Sequence, residues 1–341
     1  MRPRILIAGI GGASLGTEIL KCLQLAGGYD VFGCDVSPLA FGHYGCAFES
    51  TSIVSRECYV DDLLALCAEL SIDCIVPGGD EPARLVAESQ QLFVNAAVRV
   101  AANDLKLVAS MSNKLECFRI LGEMGFTIPA TRVVRDSANL EGFPMPCIVK
   151  PSLGSGGSVF VFFANDTAEA SLYCSYLSNN GLVPMVQEYL TEQRGEFTVG
   201  VLSLPSKRCV GAIALKRMFS SKLSVSTRGK GFVISSGYSQ GEIGAFPEIC
   251  SLAIDMATKL GSIGPLNIQG RISERGELVP FEINPRFSAS TYLRAMAGFN
   301  EVDYYLRSIL AHEVVSSMDV RPGLYLRSLT EVAVPVDQIR T

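Results

Sequence analysis

The chain of 341 residues carries 29 Lys and Arg against 34 Asp and Glu, a net charge of −5, which excludes the basic surface that a nucleic-acid partner requires. It is 48% hydrophobic with a mean hydropathy of +0.29, so disorder is excluded and two or three domains with substantial cores are expected. No apolar run reaches the roughly 18 residues of a membrane span. No membrane partner is therefore expected, and Gly9 to Gly12 interrupt the apolar stretch after Met1-Arg2-Pro3-Arg4, so no signal peptide is read there.

Eleven cysteines are an odd number with no CxxC or Cys/His cluster, and Cys34, Cys74 and Cys147 lie inside apolar runs. This usage points to a reducing cytosol, hence a cytoplasmic protein. His43 and His312 stand away from every motif, so histidine acid–base chemistry is not expected.

Residues 1 to about 110 read as an α/β unit. Arg4-Ile5-Leu6-Ile7-Ala8 has the continuous apolar pattern of a buried parallel strand, Gly9 to Gly16 follows as a glycine loop, and a helix runs to about Ala26. Val31 to Asp35 and Cys74 to Pro77 are further strands, with helical periodicity from Val60 to Leu70 between them. The loop misses the dinucleotide fingerprint because Ser14 stands at its third glycine position, so a nicotinamide-dependent dehydrogenase with Asp35 on the ribose is not favoured. Backbone N–H groups around Gly11, Gly12 and Ser14 still aim at whatever lies above the first helix, which favours an anion. Gly78-Gly79-Asp80-Glu81 ends another strand at the carboxyl edge where open α/β sheets take ligands; alternatively the two acids only open the next helix.

From Ser110 to Met124 the pattern predicts one helix, carrying Lys114 and ending near Gly125. Thr131 to Val134 and Cys147 to Pro151 read as strands, then Ser152-Leu153-Gly154-Ser155-Gly156-Gly157-Ser158 leads into a strand from Val159 to Phe163. Strand–glycine loop–strand is a flap and not a Walker A loop, which needs GK[ST] opening a helix. Its backbone donors can close over a triphosphate, with Lys150 at the strand end supplying charge. Val183 to Leu190 is a strand running into a linker.

Gly195 to Leu202 alternates as a strand that starts at Glu196, and Val210 to Leu215 pairs with it and ends in Lys216-Arg217. Ser220 to Gly231 is a basic, glycine-containing loop, either a mobile cover or a solvated surface loop. An amphipathic helix from Pro247 to Leu260 precedes a hairpin over Gly270 to Pro280 that turns at Glu274 to Glu277. That hairpin sets Gln269 beside Glu282 and Asn284, which share one strand face. Three oxygen donors without thiol or imidazole suit a hard cation such as Mg²⁺, with Mn²⁺ also compatible. Arg286 shares the face and can clamp phosphate or carboxylate oxygens, and Pro285 holds Asn284 extended. Helices over Ser290–Ala297, with Arg294, and Asn300–Ala311, then a strand from Tyr325 to Leu329, complete the chain.

The segment Gln269…Phe281-Glu282-Ile283-Asn284-Pro285-Arg286-Phe287-Ser288 resembles the metal-binding strands of the ATP-grasp superfamily, most closely the synthetase halves of the carbamoyl phosphate synthetase large subunit. The likeness extends to GIGGASLG with the strand-end Asp80-Glu81, to SNK around Lys114, to IVKPSLGSGGS and to VPMVQEYL. It implies an ATP-grasp fold of three parts: a Rossmann-like unit over 1–110, a lid over 111–190 and a floor with the metal site over 191–341. It implies ATP on Lys114, Lys150 and the Gly154-Ser155-Gly156-Gly157-Ser158 flap, with Glu188-Tyr189-Leu190 along adenine and Glu196 on the ribose. The chain has about one residue more than those halves between Glu188 and Glu196. Magnesium is expected on Gln269, Glu282 and Asn284, with Lys150, Arg217 and Arg286 as the groups that neutralise the transferred phosphoryl. Gly11, Gly12, Ser14, Glu81 and Arg294 are the expected substrate contacts. The implied activity is an ADP-forming ligase that joins a small carboxylate and an amine through an acylphosphate, and a homodimer is compatible with the sequence. A carbamoyl phosphate synthetase-like enzyme and a nucleotide-binding regulator without turnover are the alternatives.

Overall fold

The computed structural model describes residues 1–11, 15–136, 140–153, 159–313 and 319–340. In the N-terminal part, strands β1 (Arg4–Ala8), β2 (Asp30–Asp35), β3 (Thr51–Ile53), β4 (Cys74–Pro77) and β5 (Arg99–Val100) alternate with helices α1 (Leu15–Ala26), α2 (Gly42–Gly45), α3 (Tyr59–Glu69), α4 (Asp80–Glu88) and α5 (Gln90–Asn95). The strands form a five-stranded parallel sheet in the order β3-β2-β1-β4-β5. β1 is apolar on both faces because helices cover both, as parallel sheets require. Where α1 and the end of β4 close on β1, a side chain has no room. A Cβ at Gly16 would lie 1.9 Å, and one at Gly78 2.1 Å, from the Gly9 carbonyl oxygen.

Two helices, α6 (Leu105–Ser112) and α7 (Lys114–Glu123), replace the single one expected from Ser110. Asn113 is extended, with ψ 104°, and its side chain caps α7 by accepting from the Leu115 and Glu116 amides at 3.2 and 3.3 Å. Lys114 therefore opens a helix. Strands β6 (Thr131–Val133), β7 (Cys147–Pro151), β8 (Phe162–Ala164) and β9 (Pro184–Glu188) follow, with α8 (Thr167–Asn179) between the last two. They form an antiparallel sheet ordered β6-β9-β7-β8. β8 begins later than the expected Val159, because Phe160 takes a left-handed φ of 57° and turns the chain first.

The last part carries β10 (Glu196–Ser203), β11 (Cys209–Arg217), β12 (Val225–Gly229), β13 (Phe232–Ser235) and β14 (Gly241–Ile243), then α9 (Pro247–Lys259). After these come β15 (Pro265–Ile272), β16 (Leu278–Asn284), α10 (Thr291–Met296), α11 (Glu301–Ala311) and β17 (Gly323–Tyr325). Six of the strands make an antiparallel sheet ordered β16-β15-β10-β11-β14-β17, while β12 and β13 pair by themselves. The region expected to be a basic loop is thus largely a hairpin, and the final strand sits at Gly323–Tyr325, earlier than predicted. Along β10, Phe197, Val199 and Val201 pack with Ala253, Met256 and Ala257 of α9, so Thr198 and Gly200 face the other side. On that side Leu202, Ile213 and Leu215 join α10, α11 and the inner face of α1 in one core. Among the described residues no helix is long and apolar enough to cross a membrane.

Candidate active site

A cleft of about 1150 Å³, counting its open mouth, lies between the β7–β9 face and the β10–β15–β16 face. Hairpin pairing places Gln269 opposite Glu282 and Asn267 opposite Asn284. Gln269, Glu282 and Asn284 all line the cleft, and Gln269 Nε2 donates to Glu282 Oε2 at 2.7 Å. Burial of Ile268 and Ile283 on the opposite face fixes which side chains point into the cleft, since a one-residue slip would exchange the faces.

Lys150, at the end of β7, lines the same cleft and is buried. Its ammonium donates to Gln187 Oε1 at 2.8 Å and to the Phe281 carbonyl at 3.3 Å. Burial, reinforced by the neighbouring Lys114, pushes its pKa down to about 8. The Lys114 pKa is also lowered by burial, against the opposing pull of Glu282 and Asp80. Also lining the cleft, Arg286 donates through Nε to Asp80 Oδ1 at 2.6 Å and through Nη1 to the Phe287 carbonyl at 2.9 Å.

Glu188, Tyr189 and Leu190, at the end of β9, form another wall of the cleft. The Glu188 carboxylate accepts from the Ala130 amide at 3.1 Å, and the Tyr189 hydroxyl donates to Glu192 Oε2 at 2.7 Å while accepting from the Val233 amide at 3.0 Å. Apolar Ile148, Val161 and Phe281 stand around this end, an environment suited to a flat ring.

Several expected contacts lie elsewhere. Glu196 has no exposed surface and does not line the cleft. Its carboxylate accepts from Arg271 Nε at 2.8 Å and stands 3.4 Å from Arg217 Nε, because two buried cations claim it. Arg217, expected at the phosphoryl group, is buried beneath the cleft and donates to the Ser224, Ser236 and Tyr238 carbonyls, which ties down the β12–β13 hairpin. Arg294, expected to meet substrate, is fully buried beside Glu301 at 3.2 Å and donates to Asn267 Oδ1 at 2.6 Å and Thr198 Oγ1 at 3.1 Å. It reaches the cleft only through Asn267 and Thr198, which line it. Glu81 pairs with Arg56 at 3.1 Å and borders a second cavity instead. Gly11 is half-buried after β1 and does not line the cleft. Gly12, Ser14 and the Gly154-Ser155-Gly156-Gly157-Ser158 flap lie outside the described residues. Asp35 accepts from the Ile10 and Ser37 amides at 2.8 and 2.9 Å, so the carboxylate that a dinucleotide site needs is occupied by backbone.

Two contributors were missed. Arg271 lines the cleft with its guanidinium 5.1 Å from the centre of the Tyr189 ring and donates to the Leu190 and Val233 carbonyls. Its position two residues beyond Gln269 on an alternating strand was the available signal. Val233 to Gly237 also line the cleft, and the apolar Phe232-Val233-Ile234 was the only strand signal in a stretch dominated by serine and glycine.

The family model of the ATP-grasp domain matches residues 111–290. The chain belongs to the ATP-grasp family. Among solved structures, this ATP-grasp chain is similar to an L-amino acid ligase from Bacillus licheniformis, at 16% identity and a TM-score of 0.69 over 90% of this chain and 74% of that one. It is also similar to the biotin carboxylase domain of a 2-oxoglutarate carboxylase from Hydrogenobacter thermophilus, crystallised with MgADP and bicarbonate, at 17% identity and a TM-score of 0.67 over 94% and 72%. An N5-carboxyaminoimidazole ribonucleotide synthetase from Thermotoga maritima matches at 16% identity and a TM-score of 0.61 over 94% and 79%. A search of curated proteins finds no match. These likenesses establish the fold, and the finer likeness to the carbamoyl phosphate synthetase halves rests on the sequence motifs alone.

Among the described residues no three His, Cys, Asp or Glu side chains cluster as a metal site. The Gln269–Glu282–Asn284 set instead offers one carboxylate and two amides on a shared cleft face, a donor set that fits a hard divalent cation completed by phosphate oxygens.

Proposed function

We propose that this ATP-grasp protein is an ADP-forming carboxylate–amine ligase that makes an amide or peptide bond between small metabolites through an acylphosphate. The observation that carries the reading is the convergence of Lys114, Lys150, Gln269, Glu282, Asn284 and Arg286 on one cleft beside the hinge strand. Residues 1–110 would help hold the acceptor, 111–190 would close over the nucleotide, and 191–341 would form the floor. Adenine would lie along Glu188–Leu190 between Ile148, Val161 and Phe281. Mg²⁺ or Mn²⁺ on Gln269, Glu282 and Asn284 would neutralise phosphate oxygens.

An oxygen of the acceptor carboxylate attacks the γ-phosphorus in line, and the bond to the β–γ bridging oxygen breaks with release of ADP. Lys114, Lys150 and Arg286 meet the charge that builds on the phosphoryl oxygens. The amine nitrogen then attacks the acyl carbon, phosphate departs and the nitrogen gives up its proton. No side-chain nucleophile takes part. A second reading, phosphorylation of bicarbonate or carbamate, uses the same residues with a smaller acceptor. The bicarbonate bound by the Hydrogenobacter thermophilus domain favours including it among the substrates tried.

The test is ADP and phosphate release with ATP, Mg²⁺ and a panel of amino acids, other carboxylates and bicarbonate. Release that depends on one acceptor, and that falls by at least about a hundredfold in Glu282→Ala and Arg286→Ala, supports the ligase. Magnesium-dependent nucleotide binding with no turnover on any acceptor would favour the regulator.

A further inference from the structure

The ion pair between Arg286 and Asp80 joins two parts of the molecule that no motif connects. Asp80 is the first residue of α4, and Arg286 leaves β16 two residues after Asn284; they meet at 2.6 Å across 206 positions of sequence. Two of the three guanidinium nitrogens are engaged by protein, Nε by Asp80 and Nη1 by the Phe287 carbonyl. Nη2 has no protein partner among the described residues, and the side chain keeps 18% of its surface exposed on a residue that lines the cleft. Behind the pair lies the second cavity, bordered by Asp80, Glu81 and Arg84 and sharing Lys114, Glu282 and Asn284 with the first. The ion pair therefore stands in the wall between the two.

An arginine side chain has several rotatable bonds, and its planar fork recognises phosphate only when the plane is correctly turned. A carboxylate at the start of a helix that is itself anchored to the N-terminal sheet supplies such a restraint, because the charge-assisted bond fixes one edge of the fork and leaves the remaining nitrogen for ligand. We propose that Asp80 is a positioning residue that orients the Arg286 guanidinium toward the transferred phosphoryl group. The inference rests on the ligase reading above, and it makes the N-terminal sheet a part of the phosphoryl-transfer machinery.

The probe is Mg·ADP with aluminium fluoride, which mimics the phosphoryl group in flight and needs no acceptor, compared with Mg·ADP alone. Asp80→Asn is expected to weaken the mimic about tenfold or more while leaving Mg·ADP within about threefold. Asp80→Glu should recover most of the loss, and Asp80→Asn should add nothing in an Arg286→Ala background. Asp80→Ser serves if the amide variant does not fold. A wild-type protein that favours the mimic, loses that preference in Arg286→Ala and keeps it in Asp80→Asn would overturn the proposal alone. Equal weakening of both ligands by Asp80→Asn, or an additive loss with Arg286→Ala, would overturn it as well, since either marks a general structural role. A wild-type protein with no preference for the mimic would overturn both the proposal and the ligase reading.

Discussion

Lys150 places an ammonium against the cleft with one side-chain acceptor and one carbonyl, and burial holds its pKa at about 8, well below its ordinary 10.5. Two consequences differ in sign. Between about pH 8 and the unfolded value the unfolded chain binds more protons than the folded one, so this group's contribution to stability grows as pH rises through that window. Nucleotide affinity should move the other way, falling up to about tenfold between about pH 7 and about pH 9 as the cation is lost. Lys150→Arg keeps its charge and should flatten that dependence; an unchanged slope in titrations of a non-hydrolysable ATP analogue would contradict the assignment. Arg294 and Glu301, both without exposed surface, make a different kind of pair. Arg294→Met leaves Glu301 buried and unpaired, a loss of about 3–5 kcal/mol that thermal denaturation would register, and adding Glu301→Leu should restore part of it. The sequence marked these residues as polar but could not show which were covered. Glu196, Arg217 and Arg294 carry the charges expected of a site, and only their partners reveal that they hold the floor together from below.

At the scale of elements, the β15–β16 hairpin was legible because alternation, a turn and a proline agree on one register. The break at Asn113 was not, since neither Gly nor Pro marks it and the helical period runs through. The cap is the physical cause of the break. Asn113→Ala should therefore lower stability by about 1 kcal/mol and displace Lys114, weakening nucleotide binding more than a cap elsewhere would; Asp104→Ala, at the cap of α6, is the comparison. Equal nucleotide affinity in the two variants would contradict this. The β12–β13 hairpin was hidden because serine, glycine and basic residues dilute its alternation, and Arg217, which fastens it, lies outside it in sequence.

The parallel character of the first N-terminal strands follows from local patterns, whereas the shared core does not. Ile19 and Leu23 of α1 pack with Leu293, Phe299 and Tyr305 from the far end of the chain. Asn300 Nδ2 donates to the Cys22 carbonyl at 2.8 Å, Tyr29 donates to Asp303 at 2.8 Å, and Arg327, beyond β17, pairs with Glu18 at 3.1 Å. Contacts at such separations leave no periodic trace, and they bind the first sheet to the last. Calorimetry should therefore show one cooperative transition for the N-terminal and C-terminal parts; two well-resolved transitions for them would contradict a common core.

The proposed ligase needs a nucleotide cleft whose metal site is built on Gln269, Glu282 and Asn284. Its most direct test is a calorimetric titration with a non-hydrolysable ATP analogue, with and without Mg²⁺, on wild-type protein and Glu282→Gln. The expected result is one site per chain whose affinity rises about tenfold or more with Mg²⁺, and a variant in which that gain is lost while metal-free binding persists. Absence of binding, or a magnesium gain equally large in the variant, would contradict it.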